Sequence, residues 1–468
     1  MKNPSPPSGE ERSKLAPAPA AKEPGRWRRL FALKRSKSHT LPLAGRIARY
    51  HAARSWHPFA FLRAGFITGA ADDDPSGIAT YSEAGAAFGF SMCWVMLFTW
   101  PLMAAIQEIS ARIGRVTGEG IAGNIRAHYP KALLQAIVAL LLLANILNLG
   151  ADLGAMGSAV RLFLGGSSRV YVVLFAVLCA GLEVFSRYER YVRILKWTAL
   201  SLFAYVAAVF AVKVPWGEVA LSTFLPRFLW RSDYWVTIVG VLGTTISPYL
   251  FFWQSSEEVE DERISPDRHP LLAAPDEAPG ELHRIRVDTL AGMGFSNLIS
   301  LFIIITTAAT LNRHGITVIE TSTEAALALK PIAGPFAFAV FAAGIIGTGL
   351  LAIPVLAGSA AYALGEALGW PSGLSRPPRD AKAFYATIAI ATLVGITFNF
   401  TDINPIRALF WCAVLNGVVA VPLMVVMMVM ASDRKVMGDF TLPPLLKSVG
   451  WVSTVAMAAA SAAMFATL

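Results

Sequence analysis

The residues with the greatest chemical potential lie inside apolar runs. Gly69-Ala70-Ala71-Asp72-Asp73-Asp74-Pro75-Ser76-Gly77 places three successive carboxylates in the first of them. One aspartate near the centre of a bilayer costs about 2.5–3.5 kcal/mol. Proline lacks the backbone donor that a helix interior needs and clashes with the preceding turn, and Gly77 loosens the chain further. The spacing predicts an unwound point whose free carbonyls face a cavity rather than lipid. A second interruption, Gly243-Thr244-Thr245-Ile246-Ser247-Pro248-Tyr249, sets hydroxyls around another proline. Either break alone reads as an ordinary proline kink. One lies in the first apolar run and the other in the sixth, which is the layout of an inverted-repeat transporter with its site at the midplane. Layout alone carries the repeat, since no residue-level identity joins the halves.

The elements that must position these residues are membrane-spanning helices. Of 468 residues, 55% are apolar and 15% charged, against about 25% charged in soluble domains. Apolar runs of about 20 residues recur along almost the whole chain, so it reads as an all-α polytopic membrane protein. This excludes a soluble doubly wound enzyme, a secreted disulfide scaffold, a disordered regulator and a membrane β-barrel, whose strands alternate. About eleven spans are expected, near 59–87, 91–113, 132–164, 171–186, 191–212, 233–259, 289–310, 336–365, 382–398, 406–430 and 448–467. Residues 317–330 are amphipathic and expected at the surface. Residues 260–288, with Pro266, Pro270, Pro275 and Pro279, are expected to form a long mobile loop.

The net charge of +9 follows membrane topology rather than nucleic acid. Residues 1–57 form a basic tail, expected disordered and cytoplasmic, with Arg26-Trp27-Arg28-Arg29 and Lys34-Arg35-Ser36-Lys37 able to touch anionic headgroups. Leu30 to Leu33 is too short for a signal-peptide core, so no cleaved leader is expected. Arg112, Arg115, Arg126, Lys131, Arg187, Arg190, Arg193, Lys196, Arg376, Arg379, Lys382, Arg434 and Lys435 fall in loops on the same side as the tail. The N-terminus is therefore expected in the cytoplasm and the C-terminus outside the plasma membrane, or the inner membrane in a bacterium. Residues 58–468 are expected to be one transporter domain, with repeats at about 59–212 and 233–430 and an extra span at about 448–467. Cys93, Cys179 and Cys412 stand alone in apolar runs and read as packing residues. The seven histidines are read as lying in tails and loops. No H-E-x-x-H, G-x-S-x-G or Walker loop is present, so no enzyme is expected.

Asp74-Pro75-Ser76-Gly77, Glu83-Ala84-Gly85-Ala86 and Ala111-Arg112-Ile113-Gly114-Arg115-Val116-Thr117-Gly118 resemble the Nramp family of divalent-metal transporters. So do Gly243 to Ser256, Asn404-Pro405 and Ser432-Asp433-Arg434-Lys435-Val436-Met437-Gly438. The resemblance covers about residues 59–440 and implies a LeuT-like inverted repeat, spans 1–5 and 6–10, with helices 1 and 6 broken. The departures are informative. The family's Asp-Pro-Gly-Asn is Asp74-Pro75-Ser76-Gly77 here, so its asparagine ligand becomes Gly77. Its Met-Pro-His is Ser247-Pro248-Tyr249, so the methionine ligand becomes serine and the histidine linked to proton movement becomes tyrosine. In the third span Asp152 is kept, but the glutamate positions around it hold Asn145 and Ala155. This pattern looks like the Nramp-related magnesium transporter branch, whose members move Mg²⁺ and also Mn²⁺ and are thought not to couple to protons.

The chemistry of the residues agrees with that branch. A thioether suits softer transition metals, whereas Mg²⁺ wants oxygen ligands in near-octahedral geometry and keeps several waters. The expected site is the Asp74 carboxylate, carbonyls near Ala71 and Thr244, the Ser247 hydroxyl and retained waters, with room made by Gly77. Tyr249 is expected either to donate to a metal-bound water or to pack at the cavity edge. Asp72 and Asp73 are expected either to line a vestibule or to bond the unwound backbone, with Thr245 beside the pathway. Asp152 is expected to pair with an arginine or to mark an exit path. Glu108 reads as an i, i+4 partner of Arg112, and Glu183 and Glu366 as interfacial. The expected partners are the transported ion, Mg²⁺ or Mn²⁺, and the lipid bilayer, with a monomeric chain and no cofactor. Two other readings stay open: a proton-coupled Mn²⁺ or Fe²⁺ transporter, and a sodium-coupled symporter of an organic substrate, which three aspartates at the first break disfavour.

Overall fold

The computed structural model describes residues 64–185, 203–265, 268–327, 330, 334, 337–401 and 403–468. The basic tail, the start of the first span, the first part of the fifth, and Arg187, Arg190, Arg193 and Lys196 lie outside the described residues. Every regular element among the described residues is helical. Thirteen of them, in chain order, are α1 (Ala64–Asp72), α2 (Pro75–Phe88), α3 (Cys93–Thr117), α4 (Lys131–Leu164), α5 (Ser168–Phe185), α6 (Phe203–Ala211), α7 (Ser232–Thr245), α8 (Pro248–Ile264), α9 (Ala278–Thr310), α10 (Ala337–Leu368), α11 (Lys382–Thr397), α12 (Pro405–Ser432) and α13 (Pro444–Thr467). Among the described residues eight helical stretches are long and apolar enough to cross a membrane. The first and sixth spans are both broken, as expected: α1 gives way to α2 at Asp73-Asp74, and α7 to α8 at Ile246-Ser247.

Small residues let the helices around these breaks approach closely. A Cβ on Gly69 of α1 would lie 2.9 Å from the Cα of Gly292 on α9, so α9 crosses α1 nearly in backbone contact. A Cβ on Gly417 of α12 would lie 2.6 Å from the Val239 carbonyl oxygen of α7. Larger side chains at either crossing would push the broken spans away from their supports. On the other side α4 packs against both α10 and α12, which brings the third span up to the first break. The start of α12 is fixed locally: Pro405 is its first residue, and Asn404 caps it, accepting from the amides of Ile406 (2.9 Å) and Arg407 (3.4 Å). This is the ordinary use of an amide N-cap followed by proline.

The long mobile loop expected at 260–288 is not found. α8 runs to Ile264 and α9 already begins at Ala278. The polar residues there are drawn into an ion-pair network around Arg115, whose side chain is 1% exposed. Arg115 meets Glu262 at 2.7 Å, Glu277 at 2.8 Å and Glu281 at 3.3 Å, and donates to the His269 carbonyl at 2.8 Å. The amides of Leu271 and Leu272 donate to the carbonyls of Arg115 and Val116, each at 3.1 Å, which straps the short connection to the end of α3. Composition marked these residues as polar, and mutual neutralisation lets them stay ordered. His283 consequently stands on the early part of α9 rather than in a loop. Glu108 pairs with Arg112 at 2.7 Å as expected. Glu183, expected at the interface, is buried at 4% exposure. Glu366 is half-buried and accepts from Ser256 Oγ (2.9 Å) and the Gly123 amide (3.1 Å).

Candidate metal-ion site

Each break frees a carbonyl for the same reason. In a helix the carbonyl of residue i accepts from the amide of residue i+4. For Ala71 that residue is Pro75, and for Thr244 it is Pro248, neither of which has an N–H. The Ala71 carbonyl instead accepts from the Tyr249 hydroxyl at 3.0 Å. The Thr244 carbonyl accepts from Ser247 Oγ at 2.6 Å, and Ser247 also lies 2.9 Å from the Gly243 carbonyl. Ser247 thus uses its hydrogen on the backbone of the break and keeps its lone pairs.

Asp74 is the N-cap of α2 with Pro75 following it. Its Oδ1 accepts from Ser76 Oγ and from the Gly77 amide, both at 2.6 Å. Its Oδ2 accepts from Asn148 Nδ2 at 3.0 Å and from the Tyr249 hydroxyl at 3.3 Å. The carboxylate is 1% exposed. The structure therefore brings Asp74, Ala71 and Tyr249 into direct contact, with Ser247 and Thr244 bonded to one another at the facing break. Thr244 Oγ1 is buried and has no hydrogen-bond partner among the described residues.

Gly77 does not leave the open room expected of it. A Cβ there would lie 3.1 Å from Thr244 Oγ1, 3.2 Å from the Asp72 carbonyl and 3.3 Å from Tyr81 Cε2. The glycine lets α7 close onto α2 beside the buried Asp74. A cavity of about 210 Å³ lies farther along α2, lined by Ala79, Glu83, Ile319, Ile406, Arg407 and Phe410 among others.

The three aspartates diverge. Asp72 accepts from Ser296 Oγ at 2.7 Å and Asp73 from Ser300 Oγ at 3.0 Å, both on α9, and both acids are fully buried. Asp74, the extended N-cap residue just past the break, faces Asn148 and Tyr249 instead. The observed partners of Asp72 and Asp73 are thus serine hydroxyls of α9 rather than the unwound backbone. Thr245 donates to the Val241 carbonyl (2.5 Å) and lies 3.2 Å from the Tyr81 hydroxyl, one step away from the Asp74 cluster. Among the described residues no three acidic, histidine or cysteine side chains converge as a resident metal centre would need.

Among the described residues no arginine pairs with Asp152; its Oδ2 accepts from Asn148 Nδ2 at 3.5 Å, the amide that also holds Asp74. Asn148 was not singled out from the sequence. Its signal was available in the spacing: it precedes Asp152 by four residues and so shares its helix face. Asn145, by contrast, faces α10, donating to the Leu356 carbonyl (3.1 Å) and Ser359 Oγ (2.7 Å).

Two broken spans meeting at an acidic, buried, oxygen-lined point define a secondary-transporter fold. Mhp1, a nucleobase-cation-symport-1 family transporter, shares it with a TM-score of 0.53 at 13% identity, covering 87% of this chain and 92% of its own. The manganese transporter of Eremococcus coleocola matches with a TM-score of 0.67 at 16% identity over 87% of each chain. At these identities the likeness is one of fold, the LeuT-like repeat with helices 1 and 6 broken. A sequence relative, the divalent metal cation transporter MntH of Aeromonas hydrophila, is 26% identical over 396 residues, 82% of this chain and 90% of its own. The natural resistance-associated macrophage protein-like family model matches residues 65–467. The chain belongs to the Nramp family, whose members are transporters and not enzymes.

Proposed function

We propose that this protein carries divalent metal cations across the plasma membrane, Mg²⁺ foremost and Mn²⁺ as well. The ion keeps most of its water, moves by alternating access and is not coupled to protons, as in the Nramp-related magnesium branch. The observation that carries this reading is the donor set at the two breaks: one carboxylate (Asp74), two carbonyls relieved of helical partners (Ala71 and Thr244) and one hydroxyl (Ser247). All are hard oxygens, which suit Mg²⁺ and give no preference to soft metals. The names of the relatives, a divalent metal cation transporter and a manganese transporter, support the class of cargo.

A single carboxylate with weak dipolar partners holds an ion loosely enough to release it. Thr244 and Tyr81 fill the place beside Gly77 in this state. Rocking of one repeat against the other would draw them back and admit the ion with its water. With a cytoplasmic N-terminus, a dication entering down a 100 mV potential gains about 4.6 kcal/mol, at about 2.3 per charge. The neutral pair Tyr249 and Asn148 beside Asp74 supports an uncoupled mechanism. Asp152, buried next to Asn148, is the feature that favours proton coupling instead. Flux of Mg²⁺ and Mn²⁺ into proteoliposomes holding a pH dye decides between them. Metal entry without acidification is expected, and protons entering in proportion to metal would refute the uncoupled reading.

A further inference from the structure

Tyr249 is the second residue of α8 and is 1% exposed. Its hydroxyl lies 3.0 Å from the Ala71 carbonyl oxygen and 3.3 Å from Asp74 Oδ2. These are two of the oxygens assigned to the ion above. A phenol carries one hydrogen, so that hydrogen is shared between the two acceptors. The Ala71 carbonyl has lost its helical partner to Pro75, and Oδ2 has only the Asn148 amide besides. The hydroxyl therefore offers a small positive charge to the same pair of oxygens that a cation would bridge.

The Asp74 carboxylate is saturated by protein donors. A carboxylate has about four lone-pair positions, and Asp74 accepts from Ser76, Gly77, Asn148 and Tyr249. A cation reaching Oδ2 must displace one of them. Ser76 and Gly77, both at 2.6 Å, belong to the cap of α2. Asn148, at 3.0 Å, is also held by Asp152. Tyr249 makes the longest contact, 3.3 Å, and retains the Ala71 carbonyl as an alternative.

We infer that the Tyr249 hydroxyl is an internal competitor of the transported cation. It binds the ion's own oxygen ligands, Ala71 O and Asp74 Oδ2, between transport events, and it is turned aside as the ion arrives. Its return helps the ion to leave. Loose binding and rapid release then come partly from this residue and not only from the sparse donor set. The inference rests on the ion site proposed at Asp74.

A competitor and a ligand respond to deletion with opposite signs. Without the hydroxyl, Ala71 O and Asp74 Oδ2 are left short of a donor until an ion comes. The purified full chain is titrated calorimetrically with Mg²⁺ and with Mn²⁺. Tyr249→Phe is expected to bind about tenfold more tightly, the scale of one hydrogen bond to a charged group, and to release the ion more slowly in stopped-flow. Replacement of Tyr249 by 3-fluorotyrosine keeps the packing and makes the phenol a stronger donor, so binding is expected to weaken. Unchanged or weaker binding by Tyr249→Phe would overturn the inference. Should that variant fail to fold, unchanged or tighter binding by the fluorotyrosine protein overturns it instead. Asp74→Asn separates the two layers: loss of binding there leaves the site standing whatever Tyr249 does, whereas wild-type binding removes the site and this inference together.

Discussion

Replacing Arg115 by methionine keeps an unbranched apolar stem and removes the guanidinium with its charge. Three carboxylates lose a partner, and they do not lose equally. Glu277 is 32% exposed, so its share is at most about 1 kcal/mol after solvent screening. Glu281 keeps Arg284 at 2.9 Å and Arg268 at 3.6 Å. Glu262, 7% exposed, has no second basic partner among the described residues. A buried charge stripped of its partner destabilises by about 3–5 kcal/mol, so Glu262 accounts for most of the expected loss. Arg115→Met should therefore melt about 3–5 °C lower in detergent. The double variant Arg115→Met/Glu262→Gln should recover most of that difference, because the orphaned charge is gone. The network joins α3, α8, α9 and the connection between the last two. Amide exchange over residues 268–277 should accelerate in the single variant and less so in the double. A single variant as stable as wild type, or a double variant no better than the single, would refute this reasoning.

Ser247→Met exchanges a hard donor for a thioether and removes the hydroxyl that bonds the Gly243 and Thr244 carbonyls. Stability should fall by about 1 kcal/mol, and Cd²⁺ should compete better against Mn²⁺ flux while Mg²⁺ transport weakens. Unchanged selectivity would mean that Ser247 does not face the ion. Gly77→Asn restores an amide to the first break, but its Cβ would stand 3.1 Å from Thr244 Oγ1 and 3.2 Å from the Asp72 carbonyl. Overpacking of about 1–3 kcal/mol is expected, with no gain in Mg²⁺ affinity by titration; tighter binding at unchanged stability would contradict the packing described. Ser296→Ala and Ser300→Ala each take a donor from a buried aspartate and should lower thermal stability by about 1–3 kcal/mol. Ion affinity at Asp74 should change little.

The breaks were legible because proline and buried acids are costly in a spanning helix; proposing Ala71, Asp74, Thr244 and Ser247 as the ion's oxygens drew on the family resemblance as well. The same logic could not say where Asp72 and Asp73 point. Their partners, Ser296 and Ser300, lie more than two hundred positions away in the chain and are unremarkable serines in an apolar run. Asn148 escaped notice because an amide carries no charge to mark it, although its spacing to Asp152 was a usable clue. Arg115 read as a topology charge because its three acids come from other helices and a connection. The polar stretch 260–288 read as a loop for a related reason: charge pairing across helices is invisible to composition. The effect of Gly77 also depended on a neighbour, since Thr244 takes the space that the missing side chain leaves.

Mn²⁺ scatters anomalously, so an anomalous difference map from crystals soaked in Mn²⁺ tests the proposed ion site most directly. A single peak is expected between the two breaks, beside Asp74 Oδ2 and within reach of the Ala71 and Thr244 carbonyls and Ser247 Oγ, and it should vanish in Asp74→Asn. A peak at Asp72 and Asp73 instead, or one that persists without the Asp74 carboxylate, would contradict the assignment.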